Sequence, residues 1–188
     1  MHLLEPYYNW RHIYIASEDG RSPFFEREYS EFEFTNQIYN FLLHPQWDDI
    51  GSPGLFIKIL YADYIEGSAI IELIGIWNDL LHNDIMVLKR DIVDHLVKEG
   101  ITKFVLIGEN LLDFHYDTDD YYQEWFEDVE DGWICLVNFR QHVLTEMKKG
   151  GTDYYLISGG ELDDLEWRKY QPSKLIQKIE NIINHRLS

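Results

Sequence analysis

The sequence predicts an α/β fold with a mostly parallel sheet, and three observations carry that prediction. Two β-rich apolar runs flank a turn signal, later stripes of apolar residues repeat at helical spacing, and short apolar runs separate those stripes. Strand and helix signals in alternation mark a sheet covered by helices. Hydrophobic residues make up 45% of the 188 residues and aromatics 15%. That is enough to fill the core of one domain with an appended segment.

Residues 10–17, Trp-Arg-His-Ile-Tyr-Ile-Ala-Ser, read as a strand closed by the Glu18-Asp19-Gly20 turn. Residues 32–41 fit strand and helix equally badly. The whole segment 1–53 is rich in aromatics and ends at Gly51-Ser52-Pro53. It reads as an N-terminal extension packed on an α/β domain of residues 54–188.

In that domain, residues 55–64 and 69–77 form a close antiparallel pair around Glu66-Gly67-Ser68. Asn78 or Asp79 offers an N-cap to a helix marked by Leu81, Ile85, Leu88, Ile92 and Leu96, with Gly100 at its C-terminal cap. Residues 101–108, Ile-Thr-Lys-Phe-Val-Leu-Ile-Gly, read as a strand buried on both faces. Asp119 or Asp120 caps a helix beginning near Tyr121, which Asp131-Gly132 breaks or bends. A second helical stripe follows through Trp133, Leu136, Val137, Arg140, Val143, Leu144 and Met147, ending at Gly150-Gly151. Residues 153–158 read as a fourth strand. Pro172 then opens a last helix with Leu175, Ile176, Ile179, Ile182 and Ile183 on one side. The expected order over the domain is β-β-α-β-α-β-α.

Charge narrows the function classes. A net charge of −18 leaves no basic patch to neutralise phosphates, which argues against nucleic acid and against an anionic membrane surface. It steers basic partners or cations toward the protein instead. The single cysteine, Cys135, sits in the apolar run Trp-Ile-Cys-Leu-Val and reads as a small buried hydrophobe. With no disulfide possible within the chain, no signal-peptide pattern at its start and no run long enough to span a bilayer, a cytoplasmic protein is expected. Walker-type phosphate loops and nucleophile elbows are missing, so the expectation is no catalytic residue and no cofactor.

The most informative stretch lies between Lys103 and Arg140. It contains no basic residue, ten carboxylates and nine aromatics. Acids alone would read as a solvated tail; acids interleaved with Tyr, Trp and Phe read as an ordered surface. The interface candidates are Asp117, Asp119, Asp120, Tyr121, Tyr122, Glu124, Trp125, Phe126 and Asp128, with the aromatics as anchors and the acids as a rim.

The order of elements over residues 55–187 resembles the STAS, or SpoIIAA-like, superfamily of anti-sigma-factor antagonist domains. Ile-Ile-Glu-Leu-Ile-Gly-Ile-Trp-Asn-Asp at 70–79 is similar to its second strand and the entry to its first helix, and residues 101–108 to its central strand. The resemblance implies a regulatory, non-enzymatic domain whose loop after the central strand touches a partner. The family's phosphorylatable Ser turn is missing: Thr118 is the only aliphatic hydroxyl in residues 109–120, and it lies between Asp117 and Asp119. A phosphate added there would meet like charge.

Three readings stand open. The first is a protein–protein interaction module for a partner with a basic surface. The second is a small-molecule or divalent-cation site over the strand ends near Glu109, Asp113 and His115, where open α/β sheets hold ligands, and in which an enzyme is conceivable. For a metal, Asp113, His115, Asp117 and Asp119 supply donors, but the calcium-loop pattern fails at Tyr121, Tyr122 and Asp128. The third reading is a homodimer formed through the aromatic-rich N-terminal segment.

Overall fold

The structure is a computed structural model and describes residues 2–188. Its centre is a five-stranded sheet, and a smaller three-stranded sheet precedes it in sequence. The small sheet holds β1 (His2–Leu4), β2 (Gln37–Ile38) and β3 (Phe41–Leu43), with β3 between the other two. The central sheet runs in the order β4 (Asp48–Asp49), β5 (Leu55–Asp63), β6 (Ser68–Asn78), β7 (Lys103–His115) and β8 (Trp133–Val137).

This sheet is mixed, not mostly parallel. β4–β5 and β5–β6 are antiparallel, while β6–β7 and β7–β8 are parallel. The tight β5–β6 hairpin makes the second of these reversals. Asp63 Oδ1 accepts the N–H groups of Ile65 and Glu66 at 2.9 and 3.0 Å, and Gly67 takes φ +69°, a conformation that costs glycine little.

Four helical segments follow β6: α1 (Asp79–His82), α2 (Asp84–Val87), a π-helical turn over Leu88–Val93, and α3 (Asp94–Lys98). The Asn78 side chain caps the first turn by accepting the Leu81 N–H at 3.0 Å. Asn83, at φ +50°, breaks the expected single helix between α1 and α2. Beyond β7 come α4 (Asp120–Asp128), β8, α5 (Gln141–Lys149) and α6 (Pro172–Leu187).

Three expected elements differ. Residues 133–137 form a strand rather than a helix turn, because Trp-Ile-Cys-Leu-Val pairs residue for residue with 103–107. The helix of that stripe begins only at Gln141. Residues 153–158 are not a strand: Thr152–Tyr154 coils into a 3-10 turn, and a single bridge joins Ile157 to Cys135. The fourth long strand therefore precedes α5. Residues 10–17 are turns followed by a 3-10 helix from Ala16, since the Trp10 carbonyl accepts the N–H groups of Ile13 and Tyr14.

Both faces of the central sheet are covered. On the first, Ile57, Ile59, Ile71, Leu73, Phe104 and Leu106 pack against Ile85, Leu88, Ile92 and Leu96, against Tyr122 and Trp125 of α4, and against Val143 and Met147 of α5. On the second, Leu60, Ile70, Val105, Ile107, Cys135 and Val137 pack against α6, Trp167 and Trp10. Further along that face, Phe56 and Ile74 meet Ile38, Leu43 and Trp47. Lys58 and Glu72, partners in the β5–β6 register, lie between those two apolar clusters.

Candidate functional site

Helix α4 divides the acidic-aromatic stretch by its period. Tyr122, Trp125 and Val129 recur at three and four residues, so they form one stripe and enter the core. Tyr122 stacks on Trp77 at 6.1 Å and donates its hydroxyl to Asp79. Trp125 meets Phe104 edge to face at 5.2 Å. Both side chains are wholly buried, which corrects their reading as interface anchors.

Two of the rim acids are already neutralised. Arg90 grips Glu124 through both terminal nitrogens, at 2.8 and 2.9 Å, and lies 5.2 Å from the Tyr121 ring. The fully buried Lys89 donates to Asp128 at 2.7 Å and to Asp94. These contacts fasten α4 to the π-helical turn, so Glu124 and Asp128 act as structural ties. Asp117 and Asp120 stay exposed, and Asp119 accepts the Tyr155 hydroxyl at 2.8 Å.

What remains on the surface is a different aromatic set. Phe126 lies 6.3 Å from Tyr154 and 5.7 Å from Tyr155, and the two tyrosines are 5.2 Å apart. Phe126 is 44% exposed and Tyr154 78%. Sequence reasoning missed the tyrosines because Asp153-Tyr-Tyr-Leu-Ile reads as a strand. Gly150-Gly151 before it and Gly159-Gly160 after it are the signal for a compact turn.

The second set of candidates lies on β7 itself, which continues to His115 instead of ending at Gly108. Residues 110–115 pair with β6 after one register shift and across a second, and this keeps the chain extended. Glu109 is held by Arg168, with Trp167 Nε1 3.4 Å away. Asp113 and His115 face each other at 3.4 Å beside His142, whose Nε2 lies 2.7 Å from the Leu112 carbonyl. Glu109 is thus taken up by Arg168, apart from the Asp113–His115 pair. Among the described residues no three His, Cys, Asp or Glu side chains converge as a metal set, so Asp113, His115, Asp117 and Asp119 are not brought together as one.

A polar seam on the second sheet face also escaped the sequence reading. The buried Glu72 accepts the Tyr7 N–H at 2.8 Å. Burial, helped by the nearby Glu109 charge, pushes its carboxyl up to about 7. Lys58 donates to the Gln46 carbonyl at 2.9 Å and lies 4.1 Å from the Tyr29 ring; burial pulls its amine below the ordinary lysine value. Asp48, also buried, accepts from Arg27 at 3.0 Å and from the Tyr29 hydroxyl. The available signal was a lone Lys and a lone Glu, each in the middle of an apolar strand. Cys135 is buried and its thiol is pushed up to about 12 by that burial, as suits a packing residue.

No family profile and no curated protein matches the chain. Among solved structures, the anti-sigma factor antagonist SpoIIAA in its unphosphorylated form is similar, with 11% identity and a TM-score of 0.44 over 66% of this chain and 96% of that one. The Bacillus cell fate determinant SpoIIAA in the phosphorylated form is similar with 10% identity and a TM-score of 0.38, covering 56% and 92%. Both likenesses lie in the arrangement of elements, and a likeness of this size carries no residue's role across. No helix among the described residues is long and apolar enough to cross a membrane.

Proposed function

We propose that this protein is a non-enzymatic interaction module that receives a basic segment of another protein on the patch formed by Phe126, Tyr154 and Tyr155. The observation that carries this reading is a cluster of three mutually contacting rings, Phe126 and Tyr154 exposed and Tyr155 half-buried, among acids with no cation. Asp117, Asp119, Asp120, Glu127 and Asp153 all belong to α4 or to the loops flanking it and Tyr154, and none is in an ion pair among the described residues. Aromatic rings supply binding energy in such patches, whereas rim carboxylates steer association and select a cationic partner.

The test is affinity capture at low salt, followed by carboxylate-directed cross-linking and mass spectrometry. A captured protein should cross-link through a Lys/Arg-rich segment to Glu127 or Asp153, and high salt should release it. The double variant Phe126→Ala, Tyr154→Ala should lose that protein while melting like the wild type. Capture of the same proteins by wild type and variant would refute the proposal.

A further inference from the structure

One departure from the protein's acidic character lies at the β5 edge of the central sheet, beyond the short pairing with β4. A cavity of about 260 Å³ opens between the chain from Glu5 to Ala16 and strand β5. That volume lies just below the roughly 300–1,000 Å³ of drug-sized ligand pockets, so it suits a small ligand. Arg11, Lys58 and His44 line it together with one carboxylate, Glu5. In a chain with 34 acids against 16 Lys and Arg, two cations meeting one acid reverses the prevailing sign.

Neither cation is fully used. The Arg11 guanidinium makes no hydrogen bond or ion pair among the described residues; only its backbone N–H does. Lys58 donates to the Gln46 carbonyl and forms an ion pair with the buried Asp48, whose Oδ2 lies 3.7 Å away. Asp48 does not line the cavity, and Arg27 offsets its charge. Arg11 and Lys58 therefore share a wall on which Glu5 is the one carboxylate; burial depresses the Lys58 amine, the Asp48 charge opposes that, and the Arg11 charge adds to it. An anion between them would relieve both.

The rest of the wall is flat and apolar. Tyr8, Trp10, Tyr14 and Leu60 present rings and methyls. The polar ends of two rings are already engaged elsewhere: the Trp10 N–H with the Tyr170 carbonyl at 3.1 Å, and the Tyr14 hydroxyl with Asp19 at 2.7 Å. We infer that this cavity binds a small aromatic anion, its charged head between Arg11 and Lys58 and its flat body against Tyr8, Trp10 and Tyr14. The inference is independent of the aromatic patch on α4, with which the cavity shares no residue.

Calorimetric titration with matched probes tests it. 2-Naphthoate and phenyl phosphate are the anions, and 2-naphthylmethylammonium carries the same bicyclic body with opposite charge. At least one anion should bind saturably at one site per chain, and the ammonium probe at least about a hundredfold more weakly. Arg11→Gln, at an exposed position, should weaken the anion about tenfold or more without changing the melting temperature. Tyr8→Ala should weaken naphthoate more than phenyl phosphate, because the larger body loses more ring contact. Equal binding of the anionic and cationic naphthalenes would overturn the inference. So would unchanged affinity in Arg11→Gln, or no saturable binding of either anion up to millimolar concentration.

Discussion

On one face of the central sheet, apolar residues of four strands meet helices that return apolar residues; on the other, Lys58 and Glu72 interrupt the apolar surface at mid-strand. The first face keeps its polar groups at its end, where Asp79 accepts from Trp77, Tyr122 and the Ile85 N–H. The second face has its polar pair satisfied by backbone groups of the preceding chain, the Tyr7 N–H and the Gln46 carbonyl. A buried charge costs far more than a buried methyl unless its partners are in place. The first face therefore depends on packing volume, and the second on the placement of a segment remote in sequence.

The largest effect should come from breaking the packing of the first face. Trp125→Ala removes a wholly buried indole and should cost about 3–5 kcal/mol, read from urea unfolding. Trp125→Phe sharpens the comparison. The indole N–H has no partner, so the phenyl ring, which leaves a smaller cavity than alanine, should cost clearly less than Trp125→Ala. A loss in Trp125→Phe as large as in Trp125→Ala would mean that the indole N–H, and not the volume, matters there.

The second face should reveal itself through pH. Glu72 holds its proton up to about 7 in the folded protein, whereas an unfolded Glu loses it near its ordinary value of about 4.3. Between those values the native state binds more protons, so this group's contribution to stability falls as pH rises and levels off above 7. The fall should be on the order of 3 kcal/mol. Glu72→Gln keeps an acceptor for the Tyr7 N–H and should remove this slope. Parallel stability–pH curves for wild type and Glu72→Gln would show that the seam does not titrate as described.

An intermediate effect belongs to the polar end of the first face. Tyr122→Phe takes the hydroxyl from Asp79, whose carboxyl burial already pushes up to about 6 despite that hydrogen bond. A buried oxygen losing its donor should cost about 1–3 kcal/mol. Because Asp79 then holds its proton more tightly, the cost should shrink as pH falls toward 5. An equal cost at every pH would assign the loss to packing.

Legibility in the sequence follows the same contrast. Signals that act locally are readable: the Asn78 cap, the turn at Gly67, and the Pro172 start of the final helix. The helix over 120–128 is legible from Asp120 and its spacing, yet which of its aromatics face inward is not. Tyr121, Tyr122, Trp125 and Phe126 leave the phase open until Phe104 and Trp77 supply the opposing surface. The run 133–137 fits both periods, and its pairing with 103–107 decides it. Gly75 shows the limit from the other side. It sits at φ +110°, with the Gly54 carbonyl 2.0 Å from where a Cβ would stand, a crossing made by residues that no local pattern links.

The smallest stability effect is expected where neither face is involved. Phe126 and Tyr154 contact each other on the surface rather than the core, so Phe126→Ala with Tyr154→Ala should change unfolding free energy by less than about 1 kcal/mol. Small stabilising pairs between exposed rings are worth about 0.5–1.5 kcal/mol beyond burial, which the exposure of Tyr154 reduces further. Two rings that contribute so little to folding are free to serve a partner. A loss of several kcal/mol on unfolding would instead make the patch part of the α4 anchorage, alongside Lys89 and Arg90. The urea curve of this double variant therefore separates a binding surface from a structural one before any partner is in hand.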